Sequence, residues 1–241
     1  NRALEEGVRN SGDTLNYTEV VSGGLQDSCE IYHTLRVPRG GEYTLVLADG
    51  TTVYLNAESE LRFPKQFRGK KRKVYLTGEG YFDVQRNEKQ PFIVEAQQVA
   101  IRVLGTSFGV RAYTREVNVL TTLVQGRVNV EADGQQVELN PGQQADFNRE
   151  NDRLTVAEVD VEQYVGWKDG RLVFDNKPLE FILEELGRWY SFDVFYTNKE
   201  LKEIPYSLNI KKHEDIAHVL KFIERTGKVK FEVNKNMIIV K

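Results

Sequence analysis

The sequence predicts a mainly β chain: an antiparallel β-sandwich or jelly-roll-like domain, followed by a small α+β domain of order βαββαββ. Three observations carry that prediction. Short runs of β-branched and aromatic residues recur roughly every ten residues from about Ile31 to Val161, parted by Gly, Pro, Asn and Asp. None of those runs has a helical period, and several alternate cleanly. After Trp167 the pattern changes, and two segments place apolar residues at the spacing of an amphipathic helix.

Taken in order, residues 1–30 are polar, aperiodic and dotted with Gly and Ser, as in NSGDT and VSGGLQDS, and read as a flexible tether. YTLVL and TVYLN flank Asp49-Gly50, a pair suited to the positive φ of a hairpin turn. Further strands are expected at KVYL (73–76), GYFDV (80–84), PFIVE (91–95), VAIRVL (99–104), SFGVRAY (107–113) and EVNVLTTLV (116–124). RVNVE (127–131), QQVEL (135–139), QQADF (143–147) and LTVAE (154–158) follow. In RVNVE, Val128 and Val130 share one face while Arg127, Asn129 and Glu131 share the other, as a half-buried strand requires.

Residues 31–165 therefore form the β-rich domain and 166–241 the second one. RLVF (171–174) reads as a strand, and Asn176 and Pro178 announce a helix carrying Leu179, Ile182, Leu183, Leu186 and Tyr190 on one face. FDVFYT (192–197) and IPYSLNI (204–210) are strands. A second helix aligns Ile216, Val219, Leu220 and Ile223, with Glu214 and Asp215 at its start and Gly227 as a left-handed stop. KFEV (230–233) and MIIV (237–240) close the chain as a hairpin.

Composition excludes several classes of function. Thirty-three bases against 36 acids give a net charge of −3, without the basic surplus of a nucleic-acid-binding domain. No apolar run approaches the length of a membrane-spanning helix. The single Cys, Cys29, excludes an internal disulfide framework and a Cys-based zinc cage, and reads as an incidental thiol. An Asn1 start without a signal-peptide pattern reads as an excised soluble portion of a longer protein.

Chemistry is sparse. Of the three histidines His33, His213 and His218, the last two stand five apart, so a helix would not aim them at one metal. No G-x-S-x-G elbow, P-loop or dinucleotide fingerprint occurs; Gly78-Glu79-Gly80 and Gly105 to Gly109 lie between strands, where Gly marks a bulge or turn. Glu79 with Asp83 is an acid pair without distinguishing context among 36 acids. Arg62, Lys65, Arg68, Lys70, Lys71, Arg72 and Lys73 form an acid-free basic run, read as a solvated hairpin loop with an anion, lipid-headgroup or nucleic-acid contact as its functional alternative. No cofactor, bound metal or enzymatic activity is expected.

A series of motifs then falls into one order: LADGTTVYLNAESELRFPKQF (47–67), LTGEGYFDV (76–84), PFIVEA (91–96), VLGTSFGVRAY (103–113), TTLVQGRVNVE (121–131), LNPGQQADF (139–147) and WKDGRLVFDNKPLEFILEELGRWYSFDV (167–194). From about residue 37 onward the chain resembles the extracytoplasmic region of FecR-family transmembrane anti-sigma factors of the Bacteroidetes type. The resemblance implies a periplasmic region anchored in the inner membrane by a single helix, and a cytoplasmic segment that holds an ECF sigma factor, both outside this sequence. It also implies that the last 75 or so residues are similar to the short N-terminal domain of secretins and TonB-dependent transporters. The implied partner is the N-terminal signalling domain of an outer-membrane TonB-dependent transporter.

Partner binding is expected at strand edges of the C-terminal domain, on the argument that a small sheet of about five strands cannot close and keeps two edges. Met237, Ile238, Ile239 and Val240 are one candidate edge, the alternative being a strand buried on both faces. Ile204, Tyr206, Leu208 and Ile210 are the other, alternating with Pro205, Ser207 and Asn209. The competing functional class is a glycan-binding or glycan-hydrolysing sandwich with Tyr43, Tyr54, Tyr75 and Tyr81 as stacking platforms; a solvent-facing row of them would favour it.

Overall fold

The computed structural model describes residues 9–18, 30–211 and 214–241. Cys29, His213 and most of the stretch expected as a tether lie outside the described residues. The chain divides into two compact units, residues 1–38 with 42–161 and residues 39–41 with 162–241.

The first unit contains β1 (Arg9–Ser11), β2 (Thr14–Asn16), β3 (Tyr32–Arg36), β4 (Tyr43–Val46), β5 (Thr52–Leu55), β6 (Glu60–Pro64), β7 (Arg72–Asp83) and β8 (Phe92–Ala96). It continues with β9 (Val99–Val103), β10 (Ser107–Ala112), β11 (Asn118–Gln125), β12 (Val128–Ala132), β13 (Gln135–Leu139), β14 (Gln143–Asn148) and β15 (Arg153–Glu158). Nine strands make one sheet, ordered β1-β2-β4-β5-β7-β10-β11-β14-β15, and the second runs β3-β6-β7-β8-β9-β12-β13. Both sheets contribute to one core around Phe63, Phe82, Phe92, Phe108 and Phe147, with Phe82 and Phe108 stacked at 5.3 Å. Pairing is antiparallel except for β2 with β4 and β7 with β8.

The structure departs from the sequence expectation in four places. Residues 9–18, expected within the tether, are ordered into structure: β1 and β2 pair as a hairpin, and Tyr17 is buried with its hydroxyl 2.9 Å from His33 Nδ1. Strands β3 and β6 were not expected at all. KVYL and GYFDV are one strand, not two. The basic run is not one solvated loop, since Arg62 lies in β6 and Arg72 and Lys73 in β7.

Strand β7 belongs to both sheets. Its first half pairs with β6 and β8, and its second half with β5 and β10. The strand changes sheet at Gly78, whose φ of +94° only Gly adopts without strain. Beside that bend, Asn56 Nδ2 donates to Glu79 Oε2 at 2.7 Å, and Ser59 Oγ accepts from the Glu79 amide at 2.8 Å. Arg111 approaches Glu79 at 3.5 Å and forks onto both oxygens of Glu116. These buried charges are mutually paired, which is how a low-dielectric interior tolerates them.

One carboxylate is less well served. Asp146 Oδ2 accepts from Asn118 Nδ2 at 2.9 Å, whereas Oδ1 is buried without a partner. Burial raises its pKa, and the Asn118 bond offsets this only in part. The folded state thus holds the Asp146 proton more tightly than the unfolded chain. That stabilisation is present in acid and lost as pH rises through the raised folded value. Asp146→Asn should therefore raise the melting temperature slightly at neutral pH, by less than about 1 kcal/mol of stability after solvent screening, with the gain vanishing in acid. Thermal unfolding at both pH values checks it.

The second unit contains α1 (Glu162–Val165), β16 (Arg171–Pro178), α2 (Leu179–Tyr190), β17 (Asp193–Tyr196), β18 (Pro205–Lys211), α3 (Ile216–Glu224), β19 (Phe231–Asn234) and β20 (Met237–Val240). Helix α2 buries Leu179, Ile182, Leu183 and Leu186 and ends at Ser191 in the left-handed conformation. Asp215 caps α3, its side chain accepting from the Ala217 amide at 2.9 Å. Arg39, assigned to this unit, donates to the Phe192 carbonyl and to Asp193, both at 2.7 Å.

The strands of this unit form two sheets rather than one of five strands. Strand β16 pairs antiparallel with β18, and β17-β20-β19 make a separate three-stranded sheet. Strand β20 lies in the middle of it, parallel to β17 and antiparallel to β19.

Candidate functional site

The topology separates the two candidate edges. Met237, Ile238, Ile239 and Val240 do not form an edge, because β20 has a hydrogen-bonded strand on each side and no free row of backbone groups. Nor is that strand buried on both faces: Ile238 and Val240 point inward, Ile239 is half-buried and Met237 is exposed. Strand β18 has one strand partner, β16, among the described residues. Tyr206, Leu208 and Ile210 are buried and alternate with exposed Pro205, Ser207, Asn209 and Lys211. Ile204 precedes the strand, and its carbonyl accepts from the Leu179 amide at 2.9 Å.

Beside β18 runs a groove of about 390 Å³. Ser207, Leu208, Asn209 and Ile210 line one wall, and His218, Val219, Phe222 and Arg225 of α3 and its C-terminus line the other. Phe222 is 59% exposed, an unusual state for a large aromatic ring. Lys221 and Arg225 bring two positive charges to the groove and Glu214 one negative. Tyr190 steadies the rim by donating its hydroxyl to the Glu214 carbonyl at 2.7 Å; burial, then Glu214 and Asp215, raises its pKa. The site offers main-chain groups on one side and an aromatic with cations on the other. That combination suits an added strand with an apolar side chain for Phe222 and acidic ones for Lys221 and Arg225.

The sequence expectation named the strand wall but missed the helix wall. A signal for it exists. His218, Phe222 and Arg225 stand at i, i+4 and i+7, a second face of α3 roughly 140° from the stripe of Val219, Leu220 and Ile223.

The tyrosines do not form a row. Tyr54 and Tyr81 are cross-strand neighbours at 6.0 Å on one sheet, Tyr43 packs against the core, and Tyr75 lies on the other sheet. Tyr75 and Tyr32 flank Arg62, whose guanidinium sits 4.2 Å from the Tyr32 ring and 5.2 Å from that of Tyr75. Burial, then the hydrogen bond to Glu30, pushes the Tyr32 phenol up to about 12. The aromatic faces are thus occupied by an arginine of the chain itself. Among the described residues no three His, Cys, Asp or Glu side chains stand close enough to hold a metal ion, and no helix is long and apolar enough to cross a membrane.

The chain is thus a two-sheet β unit followed in sequence by an α+β unit that carries the groove beside β18. The comparisons give it a family. The FecR protein model matches residues 33–129, and the FecR C-terminal model matches residues 171–240, together more than two thirds of the chain. The chain belongs to the FecR family. It is similar to two crystal structures, at 1.65 and 2.50 Å resolution, described as of a "putative anti-sigma factor" from Parabacteroides distasonis ATCC 8503. Each aligns with a TM-score of 0.80 and 26% identity, covering 87% of this chain and 98% of that one. No curated protein matches the sequence.

Proposed function

We propose that this chain is the signal-receiving region of an anti-sigma factor. It lies in the periplasm on a protein anchored in the inner membrane by one helix, and relays a signal from a TonB-dependent outer-membrane transporter to a cytoplasmic ECF sigma factor. The observation that carries the docking part is the open edge of β18 with the Phe222 groove beside it. A strand of the transporter's N-terminal signalling domain pairs with β18 and seats a side chain against Phe222. Family membership and the likeness to the P. distasonis structures support the anti-sigma role.

The two units fold as separate domains in this reading. A fragment of residues 162–241 is long enough to fold alone. It lacks Arg39, and with it the bonds to Phe192 and Asp193. Circular dichroism should show native-like helix content with a lower melting temperature than the second unit has in the whole chain; an unstructured fragment would refute separate folding.

The functional test is a titration of the signalling domain of the transporter encoded beside this gene against the intact chain, with an unrelated transporter's domain as control. Saturable binding to the first alone supports the proposal. Equal or absent binding to both rejects it.

A further inference from the structure

We infer that one end of the β-rich unit is a docking surface for an anionic lipid membrane. The turn after β6 holds Lys65, Arg68, Lys70 and Lys71, and the turn after β7 holds Arg86 and Lys89 with a single acid, Glu88. Six bases against one acid leave a local surplus of five positive charges on a chain of net −3, so the remainder carries eight net negative charges.

The two turns are fastened to each other. Gln90 Nε2 donates to the Gly69 carbonyl at 2.9 Å. Arg72, which follows the first turn directly and is only 1% exposed, reaches across to the second: Nε donates to the Gln90 carbonyl and Nη1 to the Gln85 carbonyl, each at 2.8 Å, while Nη1 also pairs with Asp49 at 2.7 Å. Phe67 packs edge-on against buried Phe92 at 5.9 Å and anchors the first turn to the core. Within the basic run, buried Arg72 ties the first turn to the second, and Lys70 and Lys71 stand outward on the first. Lys70, Lys71 and Lys89 are exposed and have no ion-pair partner among the described residues. Arg86 pairs with Glu88, the one acid within the two turns, while Asp49 nearby is held by Arg72.

The charge distribution favours a surface over a nucleic-acid strand. A planar anionic bilayer touches only the cationic end and keeps the rest of the β-rich unit, in which acids outnumber bases, at a distance where salt screens the repulsion. A polynucleotide would extend past the tip onto that negative remainder. It would also lack a stacking platform, because Phe67 is already packed against Phe92.

The test is flotation of the intact 241-residue chain with phosphatidylcholine vesicles that contain or lack about one third phosphatidylglycerol. Binding should require phosphatidylglycerol and weaken with salt. K70E/K71E/K89E should lower the affinity on the order of a hundredfold or more. R115E/R153E/K199E, which has the same net charge, should bind as the parent does. Equal binding to both vesicle types, no binding at low salt, or equal loss in both triple variants would overturn the inference. So would release by inorganic phosphate at an ionic strength where chloride does not release, which marks a discrete phosphate pocket, or tighter binding to a mixed-sequence DNA duplex than to the vesicles.

Discussion

Gly78→Ala should destabilise the β-rich unit by more than about 3 kcal/mol, enough to lower its melting temperature by roughly ten degrees. Two costs add. The residue sits at φ +94°, where a side chain is strained by about 1 to 2 kcal/mol. A Cβ there would also stand 2.5 Å from Ser59 Oγ and 2.7 Å from Ser59 Cα. The second of these is backbone and cannot swing aside. Ser59 moreover holds the Glu79 amide, so its displacement would loosen the paired charges of Glu79, Arg111 and Glu116. Gly50→Ala is the matched control: φ is +85°, but nothing lies within 4 Å of the added carbon. It should cost only the conformational strain. Thermal unfolding of both variants decides, and similar shifts would refute a steric role for Ser59.

Phe222→Asp should weaken binding of the transporter signalling domain by about ten- to a hundredfold with the fold intact. The ring is mostly in solvent, so its loss leaves no cavity in the core. The aspartate would set a negative charge facing a partner selected, in the proposed mode, for acids that meet Lys221 and Arg225. Phe195→Asp is the control, since Phe195 is 57% exposed but lies on β17 of the other sheet. If it abolishes binding and Phe222→Asp does not, the partner docks on the three-stranded sheet. A proline in β20 is uninformative, because at Ile239 it would break a ladder used on both sides and unfold the unit.

The sequence foretells best where local pattern and final environment coincide. The stripe from Leu179 to Leu186 and the turn at Asp49-Gly50 read directly, because helix period and turn chemistry are short-range properties. Strand β6 is hidden by its central charge: Arg62 reads as part of a basic loop, whereas it points outward between two tyrosines while Leu61 and Phe63 are buried. Arg72 is the same error in reverse, a charge assumed to be solvated that the fold encloses with Asp49. The place of β20 is a matter of topology. A run such as Met-Ile-Ile-Val looks alike at an edge and at the centre of a sheet, and only the parallel pairing with β17 decides between them.

Because β7 is stitched into two sheets, the β-rich unit has no seam along which it can open by halves. Releasing Arg72 to Asp83 from either ladder drags the other with it, and the strand's partners are drawn from positions 52 to 112 of the chain. Amide hydrogens along it should exchange only through complete unfolding, as a single cooperative block. The same wiring delays assembly, since those distant partners must be gathered before the strand can settle. A tug applied to this unit therefore meets a body that stays whole until it fails all at once.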